Sequence, residues 1–266
     1  MPTAKRSDAL RRVFVAWQNP TTRQWYTIAR LARRGDEYEF SFTQGATKVA
    51  RVVQHLFNSG LDEHYISSGL ISLFKNKIPS KSRSDFKKLS RWLDLTGDET
   101  EFEMLGKFGL IPGSDGLLVY PEPVVDEGKY SIEFFLHGIR HAHGSLEDRH
   151  LHGDVLRWCE TVMGGEQLFP LLDVGNQHDP NCIGLRAGEG TVIVGYVPRF
   201  YSSDLKAILS SPERAAKSKF EVLKNNDDAP LQFRMLCRFE ADVEPNFRPL
   251  DDVDHAPRST LVPLSA

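Results

Sequence analysis

Three segments, "VFVAWQNP", "WYTIARLARR" and "EYEFSFT", follow one another between Val13 and Thr43, broken only by the turn-forming "NPTTR" and "RRGD". Each is dense in aromatic and β-branched residues, which suit a pleated, half-buried surface. Short connections of this kind join neighbouring antiparallel strands, so the chain must open as a β-meander. A meander buries one face only against a second layer. The next segments supply it: "ATKVARVVQHLF" sets Val49, Val52, Val53 and Leu56 at helical spacing. "SRSDFKKLSRWLDL" starts at a serine and puts Phe86, Leu89, Trp92 and Leu93 on one face, and "DETEFEMLGKFG" reads as an acidic-capped helix ending at glycine.

The strand "GLLVYPEP" is stopped by Pro121 and Pro123, and "YPEPVVDEGKY" carries the composition of a boundary. Beyond it "YSIEFFLHGIR", "EQLFPLLDV", "CIGLRA" and "TVIVGYVP" are strands, and "PLQFRMLCRFEADV" reads as one long strand. "SLEDRHLHGDVLRWCETV" is expected to be helical with a break near Gly153, and "SSDLKAILSS" to be a serine-capped helix. The expectation is an α+β chain: an N-terminal α+β domain over 1–124, a second domain over 125–247, and a proline- and aspartate-rich tail over 248–266.

At 266 residues, with 40% hydrophobic and 26% charged residues, the chain has the composition of a folded protein and the length for two domains. No apolar run approaches the roughly 20 residues of a membrane helix, and "MPTAKRSDALRR" lacks the apolar core of a secretory signal. Cys159, Cys182 and Cys237 form no CxxC pair. They are expected to be thiols in a reducing cytoplasm. The net charge of −3 excludes a protein that coats nucleic acid by bulk attraction. Residues 1–60 nevertheless carry ten Lys and Arg against four Asp and Glu, a local +6, whereas residues 129–225 carry eleven against twelve. A polyanion should therefore meet the N-terminal part or a small specific pocket.

The polar stretch is "DVGNQHDPNCIGLRAGEGTVIVGYVPRF", where Asn176, Asp179 and Asn181 crowd together between strands. As a turn it is well made, since Asn and Asp side chains bond nearby backbone amides. Asn181 fits that role, while Gly195 gives backbone clearance and Pro198 starts a helix.

Three blocks, "FFLHGIRHA", "GEQLFPLLDVGNQHDPNCIGLR" and "VIVGYVPRFYSSDL", occur in an order and spacing that resemble the HIRAN domain. That family is found in fork-remodelling helicases and small bacterial proteins. The resemblance implies a small OB-like β-barrel that binds single-stranded DNA and captures a 3′-hydroxyl end. Carried over by position, its pocket comprises Arg140 and His141 after the first strand, Asn176, His178 and Asp179 in the central loop, and Tyr196 and Arg199 in the last block. Tyrosines stand in the helicase members where this chain has His141 and His178. In this reading the guanidiniums hold phosphates. The flat rings face sugar or base, and Asp179 accepts the proton of a terminal hydroxyl while repelling a 3′-phosphate. The partner is single-stranded DNA in repair or defence, with no cofactor, no metal and no membrane.

The first half is similar, more faintly, to the N-terminal subdomain of HipA-type toxin kinases, at Glu101-Phe102, Leu105, Gly109 and Ser114-Asp115-Gly116. No phosphate-binding loop or kinase catalytic segment follows it. The cluster "HGIRHAHGSLEDRHLHG", with His137, His141, His143, His150 and His152, has no cysteine or carboxylate that completes a ligand set. No nucleophile elbow or paired-carboxylate spacing is present, so a non-enzymatic protein is expected. A protein-interaction adaptor, and a metal-dependent nuclease using the histidines, stay open as alternatives.

Overall fold

The computed structural model describes residues 11–111, 116–139, 149–173, 179, 181–188 and 192–259. The fold is α+β, with two antiparallel sheets, and the chain divides into two compact units. One comprises Met1–Glu122 together with Leu250–Ala266, the other Pro123–Pro249.

In the first unit, β1 (Arg12–Gln18), β2 (Trp25–Arg34), β3 (Glu37–Phe42), β4 (His64–Ser67) and β5 (Leu117–Pro121) form a sheet in the order β4-β3-β2-β1-β5. The meander runs β1 to β4, and β5 returns antiparallel to pair with β1. Because side chains alternate across a strand, Val13, Val15 and Trp17 of β1 join one core with Leu31, Phe40 and Val119. Among the described residues four helices serve this unit: α1 (Ala50–Phe57), α2 (Ser72–Lys75), α3 (Phe86–Trp92) and α4 (Glu101–Phe108). Helices α1, α2 and α4 contribute Val53, Phe74, Phe102 and Leu105 to the core. A 3-10 helix, Gln44–Val49, takes the first turn expected of α1, which leaves Leu56 40% exposed. Thr100 and Glu103 close a capping box on α4. Gly109 ends that helix, and a Cβ there would lie 2.6 Å from the Leu105 carbonyl and the Val119 side chain. Only glycine lets α4 come this close to β5. The serine cap expected for α3 is replaced by Asp85, which makes no side-chain cap bond.

The opposite face of β1 would be wet without residues 250–259. The chain pairs there with the end of β3 through a Thr43–Pro257 bridge, and Arg258 N donates to the Phe42 carbonyl at 2.8 Å. His255, 7% exposed, packs edge-on against Phe14. Its Nε2 lies 2.8 Å from the Tyr120 hydroxyl, which in turn meets Thr27 Oγ1 at 2.7 Å. Asp252 Oδ1 lies 2.8 Å from His255 Nδ1. Burial alone would raise the Asp252 carboxyl, but its bond to His255 holds it below its ordinary value. The segment expected as a tail is thus, as far as Ser259, a covering layer fixed by a buried polar chain.

The second unit holds β6 (Val124–Asp126), β7 (Lys129–Phe135), β8 (Gln167–Leu172), β9 (Ile183–Ala187), β10 (Ile193–Tyr196), β11 (Lys219–Asn225) and β12 (Met235–Asp242). Their order is β10-β9-β8-β11-β12-β7-β6. Just after β7, His137 exchanges two backbone hydrogen bonds with Tyr196 of β10, at 2.9 and 2.8 Å. The sheet therefore curls until its sixth strand meets its first, joined by one bridge rather than a full ladder. In its core Phe239 meets Phe220 at a tilt and Tyr130 edge-to-face, with Leu168, Ile183 and Leu185 buried alongside. On the other face Arg238 pairs with Glu133 at 2.8 Å across the β12–β7 register.

Among the described residues three helices complete the unit: α5 (Arg149–Thr161), α6 (Arg199–Leu209) and α7 (Pro212–Lys217). Helix α5 passes Gly153 without the expected break, because burial of Val155 and Cys159 outweighs the roughly 1 kcal/mol that a mid-helix glycine costs. Asn225 and Arg234 donate to the Cys159 carbonyl at 2.9 and 3.0 Å and satisfy its C-terminal end. Helix α6 starts after Pro198, as expected of that proline, so the serines of "SSDLKAILSS" expected to cap it lie inside the helix, Ser202 buried. The expected last strand splits into a 3-10 turn, Leu231–Phe233, and β12.

Candidate functional site

Cross-strand register decides which side chains share a face of the curled sheet. Tyr196 stands opposite Gly184, and Gly184 opposite Leu171; Ile193 stands opposite Arg186, and Arg186 opposite Phe169. Leu185, Ile183 and Leu168 point inward and are buried. The intervening positions consequently line the outer face of β8–β9–β10. Phe169 and Leu171 are 37% and 43% exposed there. Gly184 keeps the middle of this face low: a Cβ at 184 would press on the Ile193 side chain at 3.2–3.3 Å. Pro170 is accommodated because the β11 ladder on that side ends at Leu168.

The Tyr196 ring is seated by two glycines. Gly138 has φ +69°, and a Cβ on it would lie 2.9 Å from Tyr196 Cδ2. Gly195 lets β10 approach β7, since a Cβ there would lie 2.7 Å from Leu136 Cδ2 and 2.9 Å from the His137 carbonyl. His137 thus serves through its backbone. Burial pushes its imidazole down to about 4, so the ring is neutral near pH 7, edge-on to Phe200.

The neck of the polar loop is closed by Asp173 N donating to the Cys182 carbonyl at 3.0 Å. Asp179 Oδ1 accepts the Asn181 amide at 3.0 Å, and its carbonyl accepts the Cys182 amide at 3.0 Å. One carboxylate oxygen therefore organises the turn. Lys206 of α6 reaches Asn181 Oδ1 at 2.9 Å, which ties the turn to the helix.

Cys182 sits among the charged groups. Burial raises its thiol to about 12, with Asp179 and Asp173 adding to the rise and Arg199 opposing it. The Tyr196 phenol is also raised, by burial first and then by Cys182 and Asp173, so it stays a protonated donor. Arg199 occupies the first turn of α6, which has no side-chain cap at Pro198. Its guanidinium charge adds to the partial positive charge of the helix start.

Of the residues expected in the pocket, Asp179, Tyr196 and Arg199 gather around Cys182. Arg140, His141, Asn176 and His178 lie outside the described residues. So do His143, the side chains of His150 and His152, and Ser114 and Asp115 of the fainter likeness. Among the described residues no group of three or more His, Cys, Asp or Glu could hold a metal ion. No described helix is long and apolar enough to cross a membrane. The sequence reading missed Phe169, Leu171 and Lys206. "LFPLL" is apolar at every position, so period-two alternation had nothing to separate an outer face from an inner one.

No family model and no curated protein matches the chain. Among solved structures it is similar to the HIRAN domain of human HLTF, at 17% identity over 45% of this chain and 84% of that one, TM-score 0.31. It is also similar to a protein from Lactobacillus plantarum, at 13% identity over 44% of this chain and 100% of that one, TM-score 0.32. At these scores neither likeness bears on what this chain binds.

Proposed function

We propose that the second unit is a non-catalytic module that binds single-stranded DNA along the outer face of β8–β10 and holds its 3′ end at the turn around Asp179. The observation that carries this is the outer face of β8–β10, where Tyr196 and Leu171 flank Gly184 and Ile193 and Phe169 flank Arg186, so that apolar and aromatic side chains share one face with a guanidinium, and Arg199 stands in the uncapped first turn of α6. Exposed rings and apolar side chains suit unpaired bases, each stack contributing about 1–3 kcal/mol. A guanidinium at a helix N-terminus suits a phosphate, by charge-assisted hydrogen bonds and by the helix dipole. A duplex hides its base faces, so the same surface disfavours it. At the end of the strand, a carboxylate at 179 tolerates a hydroxyl and repels a phosphate. The setting is DNA repair or defence.

Fluorescence anisotropy with a labelled oligothymidine tests the reading. Phe169→Ala should weaken binding by the equivalent of about 1–3 kcal/mol, roughly 5- to 150-fold. Arg199→Ala should weaken every single strand and lower the slope of log affinity against log salt by about 0.7, one phosphate contact. Unchanged affinity in both variants refutes the proposal.

A further inference from the structure

The outer face of the first unit's sheet, beyond the part covered by residues 250–259, carries a second charge pattern. Register places Arg12 of β1 opposite Ala32 of β2, with Arg30 and Arg34 flanking Ala32 on the same face. Arg11 and Arg33 join at the strand ends, where Arg33 N donates to the Arg11 carbonyl at 2.8 Å. These five arginines line a concave pocket of about 600 Å³.

Three carboxylates stand among them, and the β2–β3 register sets Glu37 opposite Arg34. Glu39 meets Arg34 at 2.7 Å and Arg30 at 3.7 Å, and Glu122 accepts from Arg12 Nε at 3.0 Å. Five guanidiniums against three carboxylates leave a local charge of about +2 around one concavity, an arrangement that costs self-repulsion unless an anion enters. Burial, with Arg12 and Arg34 alongside, lowers the Arg30 guanidinium, while Glu39 opposes this. Among the described residues no aromatic ring lines the pocket, so those residues offer a base no stacking partner.

The spacing selects the anion further. Four residues of strand separate Arg30 from Arg34, about 13 Å at some 3.4 Å per residue. A lone phosphate spans only a fraction of that length and meets one or two forks; a row of phosphates meets several. We propose that this arginine-lined face of the first unit is a binding site for a run of consecutive phosphates, read by charge and without regard to base. Such a run is supplied either by a nucleic-acid backbone or by inorganic polyphosphate. The site is separate from the proposed base-binding face of the second unit and does not depend on it.

Arg11 and Arg33 are the residues to change, because Arg12, Arg30 and Arg34 also hold Glu39 and Glu122 in place. Isothermal titration of the full chain with medium-chain inorganic polyphosphate at low ionic strength should show binding. Arg11→Gln/Arg33→Gln should weaken it at least tenfold, Arg199→Ala should leave it unchanged, and the charge-keeping Arg11→Lys/Arg33→Lys should retain most of it. In the second arm, oligothymidine binding to the glutamine variant should show a salt slope lower by about 1.4, two single-strand phosphate contacts. A lower slope identifies a nucleic-acid backbone as the ligand; an unchanged slope with weakened polyphosphate binding identifies free polyphosphate. No polyphosphate binding by the unmodified chain, or equal binding by it and the glutamine variant, overturns the site. Loss of oligothymidine binding in Arg199→Ala with polyphosphate binding intact would bear on the second unit alone.

Discussion

At the scale of single residues, two groups do work that their chemical type does not announce. Asp179 has an acceptor on the Asn181 amide, so its carboxylate is part scaffold and part charge. Asparagine keeps that acceptor and loses the charge, which makes Asp179→Asn the substitution that separates the two roles. His137 was one of five histidines suggesting metal, yet its backbone closes the sheet and its ring is held neutral by burial. The folded chain takes a proton there only near pH 4, the unfolded chain near 6.5. The unfolded state therefore binds more protons between those values, and stability from the neutral ring is complete above 6.5 and lost as pH falls towards 4. Urea midpoints of the second unit should fall more steeply over that range in the unmodified chain than in His137→Phe, whose ring can still meet Phe200. Parallel pH profiles would contradict this.

At the scale of elements, the first three strands of the meander, the acidic start of α4 and most strands of the second unit were legible because each rests on local chemistry: alternation, turn residues, acidic side chains in a first turn. What could not be read depended on distant partners. β11, "KFEVLKN", is a central strand with a charged outer face, and its place between β8 and β12 follows only from the curl of the sheet. The covering role of His255 likewise needs Tyr120, 135 residues away. Glycines divide the same way. Gly195 sits against Leu136 and the His137 carbonyl, so Gly195→Ala should cost the second unit about 1–3 kcal/mol by overpacking the closing bridge. At Gly153, a half-buried position within α5, a Cβ meets nothing within 4 Å among the described residues, and alanine there should stabilise by about 0.5–1 kcal/mol. Chemical denaturation of both variants checks the pair; equal effects would mean that the close approach of β10 to β7 is not what holds the sheet end.

At the scale of the whole molecule, the chain pairs a unit of net charge +2, with 19 Lys and Arg against 17 Asp and Glu, with one of net charge −5, with 14 against 19. The excess of arginine lies where Arg30 and Arg34 share one strand face, and the exposed apolar side chains lie where Phe169 and Leu171 share another. For the candidate site, the sequence supplied Asp179, Tyr196 and Arg199 through a motif resemblance. The outer face of β8–β10 became visible only when register fixed which side of each strand faces out. The central claim, that the second unit holds a single strand by its 3′ end, is tested most directly by anisotropy with one labelled oligonucleotide ending in either 3′-hydroxyl or 3′-phosphate. The account predicts tighter binding of the hydroxyl end, at least about fivefold, as about 1 kcal/mol of like-charge repulsion in a wet site would give, and loss of that preference in Asp179→Asn. Equal affinity of the unmodified protein for both ends, or no binding at low salt, would contradict it.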